Sequence, residues 1–552
     1  MEVTNIARLP ADLLHMLCEQ LSDAAAFPTL YNCVTSSKHF SNAGAVNALY
    51  RICHESPVKG GGSEGLSLAE QGQNVSKWAI LWRSITLSAL GSTMYPYCRH
   101  LRTLDFRDLG YLLEDDKFRG KVMKAFFEGE MTRFHFTHTV GKGRAVRLDT
   151  SKIIRAIGDE VIQQAPLLDG LSGPATSDVL SNALTQWAPR LNNLRRLELW
   201  DGKVFADETT RNLLHVHCPN LQSLSMYLNS AAESDHAMSS FIGGMQENKL
   251  TYFENIGNCG IGAETCLALN RHGKSLSTLK LFLSEEGVLA LGTLRGCTAL
   301  RELAVASERA SVDLKATQND NYLEIVEWLK DCTELKKVAF HNFPSAPDLL
   351  TPILQNKNVR LESLDVSAVK DDAMYVVKDH RAFHQAITQQ QRSLRALHLI
   401  ADADPVTRDD IETLMNALCS LTAMQELKLV RISDYLNEEH IKLLARYMTD
   451  LRELYIGGYG ISDGVLGDVA KLRELKTVSF SGITAFTYKG VREFVDQLSE
   501  GNKGLVIAVD NADPDFAISP EEQELLREHI QTKLDGRFEY QLLRGKNLPN
   551  VS

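Results

Sequence analysis

One short pattern, L-x-x-L-x-L with conservative apolar substitutions, recurs along most of the chain and restricts what it can fold into. Copies begin at Leu101, Leu194, Leu221, Leu276, Leu300, Leu335, Leu361, Leu394, Met424, Leu451 and Leu475, with a degenerate copy at Leu250. From Leu194 to Leu475 the copies lie 24 to 35 residues apart, about 28 on average. This period predicts one long repetitive domain rather than several unrelated domains in 552 residues.

The last two apolar positions of each copy are two residues apart, so in a strand both side chains point to the same side of a sheet. Amphipathic stretches between copies, such as 178–187, 438–448 and 488–498, have helical spacing. The spacing and the pattern are those of a leucine-rich repeat. We therefore predict an α/β leucine-rich-repeat solenoid, a horseshoe with a concave parallel sheet and convex helices, of about 12 repeats over residues 77–510.

Two parts of the chain depart from the repeat. Residues 137–190 have no clear copy, although Met131, Phe134 and Phe136 are compatible with a further strand. Residues 511–552 are predicted to form a C-terminal capping helix, from Pro520 to Leu534, and a loose tail.

Cysteines recur at one phase of the repeat. Cys98, Cys218, Cys297 and Cys332 each stand three residues before the first apolar position of a copy. One small residue per repeat at a fixed phase indicates a buried corner between helix and strand, rather than metal or redox chemistry. This spacing resembles the cysteine-containing repeats common in F-box proteins.

Residues 1–53 do not fit the repeat and are predicted to form a small domain of three helices, followed by a glycine-rich linker over 54–76. The run from Leu9-Pro10 through Leu13, Leu14 and Leu17 to Leu21 resembles the opening of an F-box, and the segment from Thr29 to Phe40 resembles its second half. The resemblance implies that the domain binds the Skp-type adaptor of a Skp-cullin-F-box ubiquitin ligase. The implied contacts are Leu9, Pro10, Leu13, Leu14, Leu17, Leu21, Leu30 and Val34. Alternatively, these helices are only a cap on the first repeat.

Composition narrows the class of partner. A net charge of −11 and a pI near 5.9 argue against nucleic acid or an anionic membrane. No apolar run is long enough to span a bilayer, and we expect no secretory signal, which favours a cytoplasmic or nuclear protein.

No signature of catalysis is apparent, so we expect neither an enzyme nor a bound cofactor. His380 and His384 are four residues apart, and His215, His217 and Cys218 are clustered, but neither group has the ligand pattern of a metal site.

A protein substrate is expected on the concave face, where the residues flanking the penultimate apolar position of each strand point. The candidate contacts on this face are Trp200, Tyr227, Phe282, His341, His398 and Tyr455. Together these features predict the substrate-recognition subunit of the ligase, with a cullin scaffold as a further partner. The alternatives are an interaction scaffold or inhibitor whose N-terminal helices only cap the repeats and, with weaker support, a regulator of a small GTPase.

Overall fold

In a computed structural model the chain divides into two compact units, Met1–Cys259 and Gly260–Ser552. The structure describes residues 9–24, 26–51, 67–140, 145–174, 178–308, 313–402, 407–432 and 436–543. Each unit contains strand–helix repeats of the leucine-rich-repeat type, in which the strands form a parallel sheet.

The first unit begins with short helices and continues into repeats. Its helices are α1 (Ala11–Asp23), α2 (Phe27–Ser36), α3 (Lys38–Phe40), α4 (Val46–Arg51), α5 (Leu68–Ala89), α6 (Phe106–Glu114), α7 (Lys121–Phe126), α8 (Thr150–Gln164), α9 (Val179–Trp187), α10 (Glu208–His217) and α11 (Ser234–Gly244). Its strands are β1 (Thr103–Asp105), β2 (Thr137–Val140), β3 (Ala145–Leu148), β4 (Gly170–Ser172), β5 (Arg196–Asp201), β6 (Ser223–Leu228) and β7 (Tyr252–Asn255). The strands β1, β4, β5, β6 and β7 pair in that order, all parallel, while β2 and β3 form a separate antiparallel hairpin.

The second unit repeats the same scheme. Its helices are α12 (Ala263–Leu269), α13 (Glu285–Leu289), α14 (Leu314–Thr317), α15 (Asn319–Asp331), α16 (Ala346–Leu354), α17 (Arg381–Ile387), α18 (Arg408–Cys419), α19 (Glu438–Tyr447), α20 (Leu466–Val469), α21 (Tyr488–Gln497) and α22 (Pro520–Leu534). Its strands are β8 (Thr278–Leu283), β9 (Glu302–Ser307), β10 (Lys337–His341), β11 (Ser363–Ser367), β12 (Tyr375–Val376), β13 (Ala396–Asp402), β14 (Glu426–Val430), β15 (Glu453–Ile456), β16 (Tyr459–Ser462), β17 (Thr477–Phe480), β18 (Ile483–Ala485), β19 (Val506–Ala512) and β20 (Arg537–Leu542). The main sheet runs β8-β9-β10-β11-β13-β14-β15-β17-β19-β20, and every pairing is parallel.

The repeat pattern predicts the strands closely. Every strand predicted from a pattern copy begins two residues after the first apolar position, as β5 does after Leu194. Leu194, Leu197 and Leu199 are all buried, because the three anchors of a copy point into the core between sheet and helices. Fully burying one such leucine contributes about 1.5 to 3 kcal/mol before conformational entropy is subtracted.

The corners between helix and strand are buried, as the cysteine phase predicts. Cys98, Cys218, Cys297 and Cys332 are at most 4% exposed. The Cys297 carbonyl accepts hydrogen bonds from the Trp328 indole nitrogen at 3.0 Å and from the Cys332 thiol at 3.4 Å. Residues at these corners therefore pack in the core and also provide hydrogen-bond partners for buried backbone carbonyls.

The irregular region 137–190 does not break the sheet. A hairpin and α8 are inserted after β1, but β4 pairs with both β1 and β5. The prediction of a strand around Met131, Phe134 and Phe136 is wrong. Residues Gly129–Phe134 form a 3₁₀ helix whose turns bury Met131 and Phe134, and Phe136 is exposed.

The predicted linker over 54–76 is shorter than expected. Residues 52–66, with the glycine cluster, lie outside the described residues, but α5 already begins at Leu68. Ser67 and Glu70 form a capping box at its start, and Trp78, Trp82 and Ile85 are buried along it. Residues 68–76 are thus helix.

The C-terminal region contains the predicted helix and one strand that was not predicted. Helix α22 begins at Pro520, with Ser519 and Glu522 forming a capping box. Beyond it, β20 pairs with β19 and extends the sheet past residue 511. The predicted tail from Asn547 lies outside the described residues.

Candidate functional site

Helices α1 and α2 expose large apolar side chains close to the N-terminus. Leu13 is 49% exposed, Met16 62%, Leu17 42% and Tyr31 59%, and Leu9, which precedes α1, is 37% exposed. These five residues are called the N-terminal apolar surface below. The F-box resemblance did not identify Met16 or Tyr31 as contacts, although Met16 follows Leu13 at the i+3 spacing that places two side chains on one helix face.

The same helices also form a small core of their own. Cys18, Leu30, Ala45 and Ala48 pack together, with Leu21 and Val34 half-buried against them. The prediction that Leu14 and Leu30 contact an adaptor needs correction, because both side chains are fully buried. Pro10, by contrast, is exposed at the N-cap position of α1. A domain this short uses most of its leucines for its own core.

The N-terminal helices also contact the first repeat. The Tyr50 ring of α4 stacks on the Tyr97 ring, with centroids 4.5 Å apart, and the Tyr50 and Ser84 hydroxyls are 3.3 Å apart. This contact fixes α4 against α5 and the 3₁₀ helix Tyr97–His100.

In the first unit, the predicted contacts Trp200 and Tyr227 lie side by side on the face of the sheet opposite the helices, which we call the sheet face. Their rings stack with centroids 5.0 Å apart and planes 26° apart. Both side chains are partly exposed, as the alternation of buried and exposed residues along β5 and β6 requires. Tryptophan and tyrosine in such positions are frequent energetic centres of protein interfaces.

An arginine that the repeat pattern did not identify lies beside this pair. Arg107, in the first turn of α6, donates to Asp105 Oδ2 at 2.6 Å, forms a short ion pair with Glu198, and lies 3.4 Å from the Tyr227 hydroxyl. Burial lowers the pKa of Arg107, but the carboxylates of Asp105 and Glu198 outweigh it and raise the pKa above its usual value. Arg107 is therefore held charged and in one position.

A cavity of about 290 Å³ opens on the same sheet face, and Glu198, the ion-pair partner of Arg107, is one of its lining residues. Its floor is made by small side chains, including Gly170, Ser172, Ser223 and Ser225, and its rim includes Glu198 and Glu254. The cavity exists because small residues on β4 and β6 alternate with larger ones on β5 and β7.

In the second unit, the predicted contact His398 lies at the centre of a ladder of charges across four strands. His398 Nδ1 is 3.1 Å from Asp365 Oδ2, and His398 Nε2 is 2.7 Å from Glu426 Oε1. Lys428 continues the ladder, 2.5 Å from Glu426 Oε1 and 4.7 Å from the centre of the Tyr455 ring.

Contacts within the ladder shift the pKa values of His398, Asp365 and Glu426 in the direction that favours the ionised form of each group. Burial lowers the pKa of His398, but its bonds to Asp365 and Glu426 outweigh burial and raise it. Burial raises the pKa of Asp365 and of Glu426, but the hydrogen bonds from His398 and their other donors lower both below their usual range. The contacts of the ladder therefore favour the imidazolium form of His398 and the carboxylate forms of Asp365 and Glu426.

The remaining predicted contacts lie on strands of the second unit. His341 Nδ1 is 2.7 Å from the Ser367 hydroxyl and 3.8 Å from Asp365, so it extends the ladder. Phe282 is partly exposed on β8. The structure thus brings Trp200 together with Tyr227, and His341 and Tyr455 into one network with His398.

The histidines that the sequence analysis considered as metal ligands contact other protein groups in the fold. His384 is fully buried, 3.5 Å from the Tyr375 hydroxyl, whereas His380 pairs with Asp348 at 3.4 Å. His215 lies in helix α10 and contacts the Phe241 carbonyl at 2.9 Å. Among the described residues, no three histidine, cysteine or acidic side chains are grouped to hold a metal ion. Within the same described parts, no helix has the length and apolarity to cross a membrane.

Comparison with known proteins gives similarity to solved structures alone, since no family model and no curated protein matches the chain. A leucine-rich-repeat-containing protein, LegL7 from Legionella pneumophila, is 12% identical with a TM-score of 0.31, over 56% of this chain and 93% of that one. The yeast structure described as a Rad7 and Elc1 complex gives 13% identity and a TM-score of 0.31, over 75% and 93%. A TLR13-ssRNA13 complex is 13% identical in sequence with a TM-score of 0.33, and the match covers 70% of this chain and 61% of that one.

Proposed function

We propose that the chain is the substrate-recognition subunit of a Skp-cullin-F-box ubiquitin ligase. In this role the N-terminal apolar surface binds the Skp-type adaptor, which joins the chain to the cullin scaffold, and the sheet face of the repeats binds a protein substrate. The chain acts in the cytoplasm or nucleus and performs no chemistry itself. Its contribution to catalysis is to hold the substrate near the ubiquitin-loaded partner.

The N-terminal apolar surface is the observation that carries the proposal. Leu13, Met16 and Leu17 expose their side chains on one helix although a core is available beside them. Contiguous exposed apolar side chains of this size indicate a surface that a partner covers. The F-box resemblance of residues 9–40 indicates which partner, and Leu9, Leu13 and Leu17 are common to the resemblance and to the exposed surface.

The sheet face supports the second half of the proposal. Trp200 and Tyr227 form a stacked pair that is not buried by the first unit, and Arg107 is held rigidly beside them. Tryptophan, tyrosine and arginine are the residue types most enriched among residues that dominate the free energy of protein association.

Co-expression with a Skp-type adaptor tests the proposal. We expect the full chain to co-purify with the adaptor and a Leu13→Asp, Leu17→Asp double variant to lose it. A Leu267→Asp, Leu323→Asp double variant is the matched control, because both of these leucines are exposed on helices of the second unit. All three chains should melt within a few degrees of one another.

Two results would contradict the proposal. One is a full-length chain that does not retain the adaptor. The other is equal loss of the adaptor in both double variants, which would show that the interaction does not depend on the N-terminal apolar surface.

The Tyr50–Tyr97 contact favours a second function, in which the N-terminal helices cap the repeats of an interaction scaffold. A cap covers the exposed end of the first repeat and needs no adaptor. This function predicts that the chain does not bind the adaptor and that disrupting the helices lowers the melting temperature of the repeats.

A further inference from the structure

Five side chains form a row across the sheet face of the first unit. In register, one per strand, they are Asp105, Ser172, Glu198, Ser225 and Glu254. Carboxylate and serine alternate along this row. Strands in a sheet are about 4.8 Å apart, so neighbouring carboxylates of the row stand on strands about 10 Å apart, with a small serine between them.

The first gap in the row is filled by the chain itself. Arg107 pairs with Asp105 and with Glu198, and so spans the space above Ser172. The Ser172 hydroxyl donates to the other oxygen of Glu198 at 3.1 Å. A guanidinium group thus fits between two carboxylates of the row and is bound by both.

The second gap lies between Glu198 and Glu254 above Ser225. These three residues line part of the 290 Å³ cavity, which also extends to Gly170 and Ser172 of β4. The hydrogen bonds that orient Glu254 come from neutral hydroxyls, from Tyr252 at 2.6 Å and from Ser225 at 3.5 Å. The nearest cationic side chain of the cavity wall, Arg196, extends across Gly170 and is paired with Asp169 at 2.9 Å. Arg196 is therefore directed toward β4 and away from the second gap.

The charge of the row is not balanced by its own groups. Asp105, Glu198 and Glu254 contribute three negative charges, and Arg107 contributes one positive charge, which leaves a net charge of −2. The second gap therefore combines negative charge and small floor residues, and the cavity lining contains one aromatic ring, that of Tyr252. The Trp200–Tyr227 pair lies at the next position on the same face of β5 and β6.

We propose that the second gap binds an arginine side chain of the protein substrate. Its guanidinium would pair with Glu254 and Glu198, and its apolar stem would lie along the Tyr227 and Trp200 rings. The proposal rests on the sheet face being the substrate surface and specifies what the substrate must present. Arginine is favoured over lysine because its planar fork reaches two acceptors and stacks on aromatic rings, whereas an ammonium group is a compact point charge.

Photo-crosslinking to the full chain tests the site even when binding is weak. The probe is a nine-residue glycine–serine peptide with one arginine beside a benzophenone amino acid, and matched peptides carry citrulline or lysine instead of arginine. We expect the arginine peptide to label β5 or β6, as located by mass spectrometry. The citrulline and lysine peptides should label at least about tenfold less, since a charge-assisted pair is worth about this factor or more.

Glu254→Gln is the informative variant, because glutamine keeps the acceptor oxygen for Tyr252 and Ser225 and removes the charge. It should reduce labelling by the arginine peptide about tenfold. Glu208→Gln, an equal charge change in helix α10 of the same unit, should leave labelling unchanged. Equal labelling by the arginine and citrulline peptides overturns the proposal, and so does unchanged labelling of Glu254→Gln. Labelling by the lysine peptide at the level of the arginine peptide also contradicts it, since the site would then not select a guanidinium.

The peptide comparison on the unmodified chain does not depend on how any variant folds. The adaptor experiment reports separately on the ligase role. A chain that is labelled by the arginine peptide but does not retain the adaptor would support this site and contradict the ligase.

Discussion

The rings of Tyr50 and Tyr97 stack with their centroids 4.5 Å apart and their planes inclined by 24°. Tyr50 belongs to the last helix of the N-terminal domain, and Tyr97 precedes the first strand of the repeats. This pair therefore links the domain that carries the exposed apolar surface to the domain that carries the sheet face.

Removing the Tyr50 ring should loosen the N-terminal helices without unfolding the repeats. We expect Tyr50→Ala to lower the free energy of opening of helices α1 to α4 by about 2 kcal/mol, because a stacked aromatic pair contributes about 0.5 to 1.5 kcal/mol beyond its burial. Tyr50→Phe keeps the ring and loses only the contact with Ser84, so it should cost about 1 kcal/mol or less. Native-state hydrogen exchange measures both, and equal exchange in the two variants would show that stacking does not hold the junction.

The buried imidazole of His384 should make the second unit sensitive to acid. Burial lowers the pKa of His384 to about 4, and Nδ1 has no hydrogen-bond partner among the described residues. Histidine in the unfolded state has a pKa near 6.5, so the unfolded chain takes up a proton at a higher pH than the folded chain does. Protonation therefore favours unfolding, and stability is lost as the pH falls from about 6.5 toward 4. The loss is at most about 1.4 kcal/mol per pH unit.

Urea unfolding at pH 7.5 and at pH 5 measures this effect. In His384→Leu the decrease in stability between the two pH values should be smaller than in the wild type. His138→Leu, at an exposed histidine of the β2–β3 hairpin, should show the full wild-type decrease. If His384→Leu behaves as His138→Leu does, the buried imidazole is not the source of the sensitivity.

His398 should have the opposite pH dependence. Its pKa is raised because Asp365 and Glu426 bind the imidazolium more strongly than burial disfavours it. The stabilisation is present below the unfolded pKa of about 6.5 and is lost as the pH rises through the raised pKa of the folded state. We expect the wild type to lose this stabilisation between pH 6.5 and pH 8.5, and the loss to be absent in His398→Gln. Chemical denaturation at these two pH values decides between the outcomes, and equal losses would contradict the charge ladder.

Gly482 should tolerate no side chain, because a Cβ atom there would stand 1.9 Å from the Gly458 carbonyl oxygen. Gly482→Ala must displace backbone and should destabilise the second unit by more than about 2 kcal/mol. Gly467, in helix α20, has open space around its Cβ position, so Gly467→Ala should stabilise by about 0.5 to 1 kcal/mol. Thermal melts of the two variants should shift in opposite directions, and a neutral Gly482→Ala would rule out the close backbone approach.

The repeats are predictable from sequence because one local conformation buries all three apolar positions of an L-x-x-L-x-L copy. Leu276, Leu279 and Leu281 can all be buried together when the segment is a strand of a stacked sheet, and β8 is found there. Strand β4 could not be predicted in this way. Only Leu168 and Leu171 are available as anchors, and Gly170 and Ser172 give no strand signal.

The candidate sites were only partly predictable, for two physical reasons. In the N-terminal domain, Leu13 and Leu14 are adjacent and equally apolar, so sequence alone does not show which faces the core and which faces solvent. On the sheet face, the Arg107 contact joins residues 91 positions apart. Arg107 follows the strand instead of lying within it, and its reach to Glu198 depends on the inserted residues between β1 and β4 returning the chain to the same sheet.

The most direct measurement of the central claim is hydrogen exchange of the full chain with and without a Skp-type adaptor. We predict protection on binding in residues 11–36, centred on Leu13, Met16, Leu17 and Tyr31, and unchanged exchange in the strands of the sheet face. Unchanged exchange in residues 11–36, or protection confined to the repeats, would contradict the assignment of the N-terminal apolar surface as the adaptor site.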